Sequence, residues 1–175
     1  LTPLYERAMS KHDREKIKLV SNYMQLNAES CVLDVGCAVG TFLLRVKDEL
    51  GSAISGVDFK DDLSFPRFDE IDFHNGLFYE QDALVPESFD LITMWHFLEH
   101  CYDPARSLQK AKQLLQPEGR LIIEVPRLDS RTSKWFGPKW PGVQAPQHTV
   151  LFDRAHLEQM VEQADLKIVE HLAYG

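Results

Sequence analysis

The stretch from Cys31 to Leu50 constrains the fold more than any other. Cys31-Val32-Leu33-Asp34-Val35 is a short apolar run that stops at Gly36, and TFLLRVKDEL (41–50) then takes up helical spacing until Gly51, a residue suited to the position just past a helix end. Strand, glycine turn and helix in that order open a βαβ unit. Such a unit requires a second strand parallel to the first.

The rest of the chain supplies the alternation. AISGVD (53–58), LFYEQD (77–82), FDLITMW (89–95), RLIIEV (120–125) and KIVEHLA (167–173) read as further strands, giving six in all. The near-continuous apolar character of 89–95 suits a strand covered on both faces. Helices are expected over about 14–25, where Ile17, Val20 and Met24 share a face, and from Asp103-Pro104, a cap and first-turn pair, to Pro117. Asp153 can cap a last helix carrying Leu157, Met160, Val161 and Ala164 on one face. The expected class is therefore α/β, a doubly wound, mostly parallel sheet of Rossmann-like type. Two stretches break the pattern. From Phe59 to Gly76 any helix is short, and 126–152 is a long irregular segment containing Trp135 and Trp140. Segments of that length are generally functional or disordered, and two tryptophans oppose disorder. The tryptophans form either a capping cluster or the wall of a binding site.

Composition narrows the function classes. With 19 Lys and Arg against 27 Asp and Glu, the chain of 175 residues carries a formal charge of −8, and its basic residues are scattered, which disfavours nucleic acid. Cys31, Cys37 and Cys101 lack CxxC spacing and suit free thiols in a reducing cytoplasm. No window approaches the length of a membrane span, and no signal segment is evident. One soluble cytoplasmic domain over 1–175 is expected.

Ligands of open α/β sheets sit beyond the carboxyl ends of the strands, with the first βα turn as anchor. That turn is Asp34-Val35-Gly36-Cys37-Ala38-Val39-Gly40. A dinucleotide fingerprint would need glycines at 38 and 41, where Ala38 and Thr41 stand. The sequence DVGCAVG instead resembles the first motif of class I S-adenosylmethionine-dependent methyltransferases, with Asp34, Gly36 and Gly40 matching and Ala38 departing from glycine. The resemblance runs over about 14–173 and includes FDLITMWHFLEH, LLQPEGRLIIEVP and PQHTVLFDRAHLEQMVEQADLKIVE, the last similar to a subgroup acting on small molecules. Glu118 replaces a glycine that the family prefers.

The resemblance implies S-adenosyl-L-methionine as cofactor, held by Asp34, Gly36, Cys37, Ala38 and Gly40. It places Asp58 on the ribose hydroxyls beside Phe59, Asp82 and the Ala83 backbone on the adenine, and Trp95 at the end of the fourth strand. An aspartate after a strand commonly serves only as a cap or a solvated turn, but three at successive strand ends point to a ligand. The resemblance also implies a seven-stranded sheet. With six strands found and Leu at position 1, the chain reads as a nearly complete domain clipped at both ends.

The expected activity is methyl transfer to the O, N or C of a small-molecule acceptor. His148, in the irregular segment, is the first candidate for a general base and His100 the second, since an imidazole titrates near neutrality. For His148 a structural role bonded to loop backbone is the competing reading. His96 and His100 are four apart with Cys101 adjacent, a spacing known for zinc, but third and fourth ligands are lacking and no metal is expected. The alternatives are a catalytically silent cofactor-binding or scaffold domain and an NAD(P)-dependent oxidoreductase.

Overall fold

Five strands are present among the described residues, and their order is β3-β2-β1-β4-β5. They are β1 (Cys31–Val35), β2 (Ala53–Asp58), β3 (Asp72–Asn75), β4 (Phe89–Trp95) and β5 (Leu115–Glu124). The computed structural model describes residues 3–59 and 64–173, with side chains from Ser10 onward. Residues 60–63 of the irregular 59–76 stretch, the chain's first two positions and its last two lie outside the described residues. The chain divides into two compact units, one running through Trp95 and including Leu114–Ile122, the other comprising His96–Gln113 and the residues from Ile123 onward.

In the first unit β1 lies between β2 and β4 and pairs with both in parallel, with Val32 opposite Ile54 on one side and Leu91 on the other. β2 pairs in parallel with β3, Ser55 opposite Asp72. Val32, Leu33, Val35, Leu91, Ile92 and Met94 are fully or almost fully buried, which explains why β1 and β4 read as continuous apolar runs. Each such side chain contributes about 1.5–3 kcal/mol by burial. Helix α1 (Pro3–Ser21) and helix α2 (Thr41–Leu50) supply Val20, Phe42, Leu43 and Val46 to the same core. Glycines in the left-handed region bound α2 at both ends, Gly40 at φ 75° and Gly51 at φ 75°.

The second unit contains α3 (Pro104–Leu114, its last residue counted with the first unit), α4 (Arg131–Phe136) and α5 (Arg154–Gln163). Asp103 caps α3 by accepting the Arg106 N–H at 3.0 Å, and Asp153 caps α5 by accepting the His156 N–H at 2.8 Å. The irregular 126–152 segment is ordered by backbone pairing of Leu128 N–H with the Phe152 carbonyl (2.8 Å) and of Thr149 N–H with the Glu99 carbonyl (2.8 Å). No described helix is long and apolar enough to cross a membrane.

Three expectations are corrected. LFYEQD is not a strand: Phe78–Glu80 form a 3₁₀ turn whose apolar anchor is the buried Phe78, and the third strand is instead Asp72–Asn75. Gly76, at φ 122°, ends that strand before Leu77 is reached. KIVEHLA also forms no strand, its Val169 and Leu172 being 68% and 46% exposed with no neighbouring strand among the described residues to complete a ladder. Among the described residues the count is therefore five rather than six. Finally, α1 begins at Pro3 and ends at Ser21, earlier at both ends than the spacing of Ile17, Val20 and Met24 suggests.

Candidate functional site

The turn after β1 is held open by backbone conformation. Gly36 (φ 78°), Ala38 (φ 50°) and Gly40 (φ 75°) all adopt left-handed geometry, so the chain doubles back before entering α2. Gly36 N–H donates to the Val57 carbonyl at 2.8 Å and Gly40 N–H to the Cys37 carbonyl at 2.8 Å, fixing the turn against the end of β2. Ala38, where the methyltransferase motif has glycine, keeps the conformation at a cost of about 1–2 kcal/mol. Its methyl is exposed, so it does not crowd the core.

Asp58 closes this turn from the end of β2. Its Oδ2 accepts the Ala38 N–H at 2.7 Å and its Oδ1 accepts the Phe59 N–H at 2.6 Å. Each carboxylate oxygen has lone-pair capacity left for a diol. Phe59, 64% exposed, follows directly, so an apolar ring lies next in the chain to the carboxylate.

Asp34, one strand over, is buried at 3% exposure and receives the Thr93 hydroxyl on Oδ1 at 2.6 Å. Burial pushes its carboxyl up to about 7, against smaller opposing effects of the Thr93 hydroxyl and the Lys16 ammonium. Trp95 at the end of β4 is likewise buried, edge-on to Phe42 at 5.7 Å, with the Lys16 ammonium 5.0 Å from its ring. The indole Nε1 of Trp95 and Oδ1 of the buried Asp13 on α1 have no hydrogen-bond partner. Unsatisfied buried polar atoms beside an anchoring turn are what a zwitterionic, hydrogen-bonding ligand would complete, and the donor set fits S-adenosylmethionine. Cys37 is buried. Asp82 and Ala83 are exposed and follow the 3₁₀ turn, not the end of a strand, because Gln81 anchors that turn through the Leu77 and Asn75 carbonyls. Sequence reading missed Asp13, Lys16 and Thr93, since nothing in their spacing marks them.

The second unit has a cavity of about 410 Å³. It is lined by His96, Glu99, His100, Trp140 and His148, among others. His148 and His100 stand edge to face with ring centroids 4.6 Å apart. His148 Nδ1–H donates to the Gly142 carbonyl at 2.7 Å, and His100 Nδ1–H donates to the Gln147 carbonyl at 3.0 Å. Because a carbonyl only accepts, each neutral ring carries its proton on Nδ1 and its lone pair on Nε2. His148 is thus bonded to loop backbone and still retains a basic nitrogen. Trp140 lines the cavity and lies over Gly142, while Trp135 is 84% exposed and stacks on Phe136. Only one of the two tryptophans is a wall.

His96 does not join His100 and Cys101 as a ligand set. It adopts φ 52°, and its ring spans two carboxylates, Nδ1 to Glu99 Oε1 at 3.0 Å and Nε2 to Glu124 Oε1 at 3.2 Å. The Glu124 and Glu99 hydrogen bonds raise it to about 9, so it is an imidazolium at neutral pH. Cys101 Sγ is buried 3.1 Å from the Ser107 hydroxyl. Glu99 is 1% exposed, an interior carboxylate that no pattern along the chain marks.

A parallel sheet whose first strand delivers a glycine turn, closed by the acid at the end of the second strand, is the architecture of a class I S-adenosylmethionine-dependent methyltransferase. The chain belongs to the methyltransferase domain family, whose model matches residues 5–171. It is 28% identical over 177 residues to a ubiquinone biosynthesis O-methyltransferase of Haemophilus ducreyi, covering 87% of this chain and 73% of that protein. A protein of the same name from Proteus mirabilis is 27% identical over 126 residues, 66% of this chain, and the chain spans only half its length. The fold is also that of Haemonchus contortus phosphoethanolamine N-methyltransferase 2, solved in complex with S-adenosyl-L-methionine. The TM-score is 0.67 at 15% identity, over 86% of this chain and 36% of that one.

Proposed function

We propose that the chain acts as one methyltransferase domain that moves the methyl group of S-adenosylmethionine to a ring-bearing small molecule through a hydroxyl oxygen. The observation that carries this reading is the Asp58 carboxylate bound across the glycine turn at Ala38. The O-methyltransferase names of the sequence relatives support oxygen over nitrogen or carbon as acceptor atom.

When bound, the cofactor supplies a methyl group on a cationic sulfur with a good leaving group. The protein's work is then chiefly alignment, which can supply roughly 7–11 kcal/mol. In this reading Asp58 orients the ribose diol with Phe59 beside it. Asp82 and the Ala83 backbone face the adenine. Gly36, Cys37, Ala38 and Gly40 admit the methionine portion, with Asp34 toward its ammonium and Trp95 lining the far side. His148, backed by His100, takes charge of the acceptor's proton. The formal charge of −8 and the three free thiols support an acceptor other than nucleic acid and a cytoplasmic setting.

Three results are expected. With Asp34 raised to about 7 when folded and near 3.8 when unfolded, the ligand-free native state binds the proton more tightly. Its contribution to stability is therefore full below pH 4 and is lost as pH rises through 7. An ammonium ligand needs the ionised form, so affinity for S-adenosylhomocysteine falls about tenfold per pH unit below 7 and levels off above it. Asp34→Asn flattens that dependence in a calorimetric pH series. His148→Ala lowers kcat for labelled methyl transfer to hydroxyarenes by about 10²–10⁴-fold and leaves S-adenosylhomocysteine affinity unchanged. Unimpaired transfer by that variant would remove His148 from the mechanism.

A further inference from the structure

Glu99 presents an unusual balance. It is a carboxylate at 1% exposure, with Oε1 bonded to His96 and Oε2 without any partner. Leaving a carboxylate oxygen buried and unsatisfied is unfavourable unless a partner completes it. One donor atom each from Glu99, His100 and His148 lies within 4.8 Å of the other two. The remaining possible ligands nearby are already committed, His96 to its two carboxylates and Cys101 to Ser107.

The two histidines are prepared for the same partner. Both direct Nδ1–H to a backbone carbonyl, which fixes the ring and leaves the Nε2 lone pair available. Metal-bound histidines typically show this arrangement, since the second hydrogen bond sets the tautomer and raises the basicity of the ligating nitrogen. All three residues line the cavity of the second unit, so a bound ion would keep positions open on that side. Two imidazoles and one carboxylate with open positions suit a borderline divalent cation such as zinc, cobalt or ferrous iron more than calcium or magnesium, which prefer all-oxygen shells.

We propose that Glu99, His100 and His148 form a three-ligand site for a divalent transition cation whose open positions face this cavity. The role that follows rests on the methyltransferase reading, with His148 acting on the acceptor's proton through the cation it holds. A cation held there would lower the pH at which a coordinated acceptor hydroxyl gives its proton to water.

The test uses the full chain stripped with chelator and titrated with Co²⁺ alone, followed by visible absorption and calorimetry. The expected result is one equivalent bound, with a ligand-field spectrum lacking thiolate charge transfer. His148→Ala and Glu99→Gln should each weaken binding by more than the 10–100-fold that loss of an outer partner costs. If Glu99→Gln fails to fold, His148→Ala and His100→Ala carry the test. Absence of binding, equal binding by wild type and His148→Ala, or a thiolate band from the cysteines would each overturn the site. S-adenosylhomocysteine is titrated into the same preparations. Failure of cobalt with intact cofactor binding overturns the metal site alone, whereas failure of S-adenosylhomocysteine overturns the reading of function.

Discussion

Asp58→Ala is expected to weaken S-adenosylhomocysteine binding by at least about 100-fold while costing the free protein little stability. Hydrogen bonds to a charged partner contribute about 1.5–3 kcal/mol each, and a diol makes two to one carboxylate. Their loss amounts to about 3 kcal/mol or more, two decades in Kd. In the ligand-free chain the same carboxylate receives only Ala38 and Phe59 N–H groups, and both residues are exposed, so water can replace it there. Calorimetry measures the first quantity and thermal unfolding the second. An affinity within about twofold of wild type would mean that the acid at the end of β2 serves only as a cap for the turn.

Gly40→Ala should damage the fold itself. Gly40 sits at φ 75°, where a side chain costs about 1–2 kcal/mol. An added Cβ would also come to 2.2 Å from Cδ1 of Ile71, a residue only 6% exposed. Moving that methyl in a packed core adds about 1–3 kcal/mol. The total of about 2–5 kcal/mol corresponds to roughly 4–20 °C in Tm for a chain of this size. Differential scanning of the purified variant checks it. An unchanged Tm would show that the turn relaxes freely and that its geometry is not specified by glycine.

Much of the first unit was legible because its signals are local. The strands at 31–35, 53–58 and 89–95 and the helix at 41–50 occur where continuous apolar runs meet glycines, and burial on both faces of β1 and β4 is what such runs encode. β3 was not legible. Asp72-Phe73-His74-Asn75 has one apolar residue and becomes a strand through parallel pairing with β2, whereas the apolar LFYEQD turns because Phe78 is needed inside. At the C-terminus KIVEHLA has the alternation of a strand without a described neighbour to complete it.

The site divides along the same line. Asp34, Gly36, Gly40 and Asp58 stand at positions that the βαβ order itself identifies, and the structure brings Asp58 onto the turn through Ala38. The histidine cluster depends on contacts across more than forty residues, such as His100 with Gln147 and Thr149 with Glu99. Spacing along the chain suggested His96 with His100, while folding turns His96 toward Glu124 and brings His148 to His100 instead.

Titration of the wild-type chain with S-adenosylhomocysteine and, separately, with NAD decides which cofactor the glycine turn takes. One-to-one binding of S-adenosylhomocysteine and no heat with NAD are expected. Binding of NAD without S-adenosylhomocysteine would contradict the methyltransferase reading.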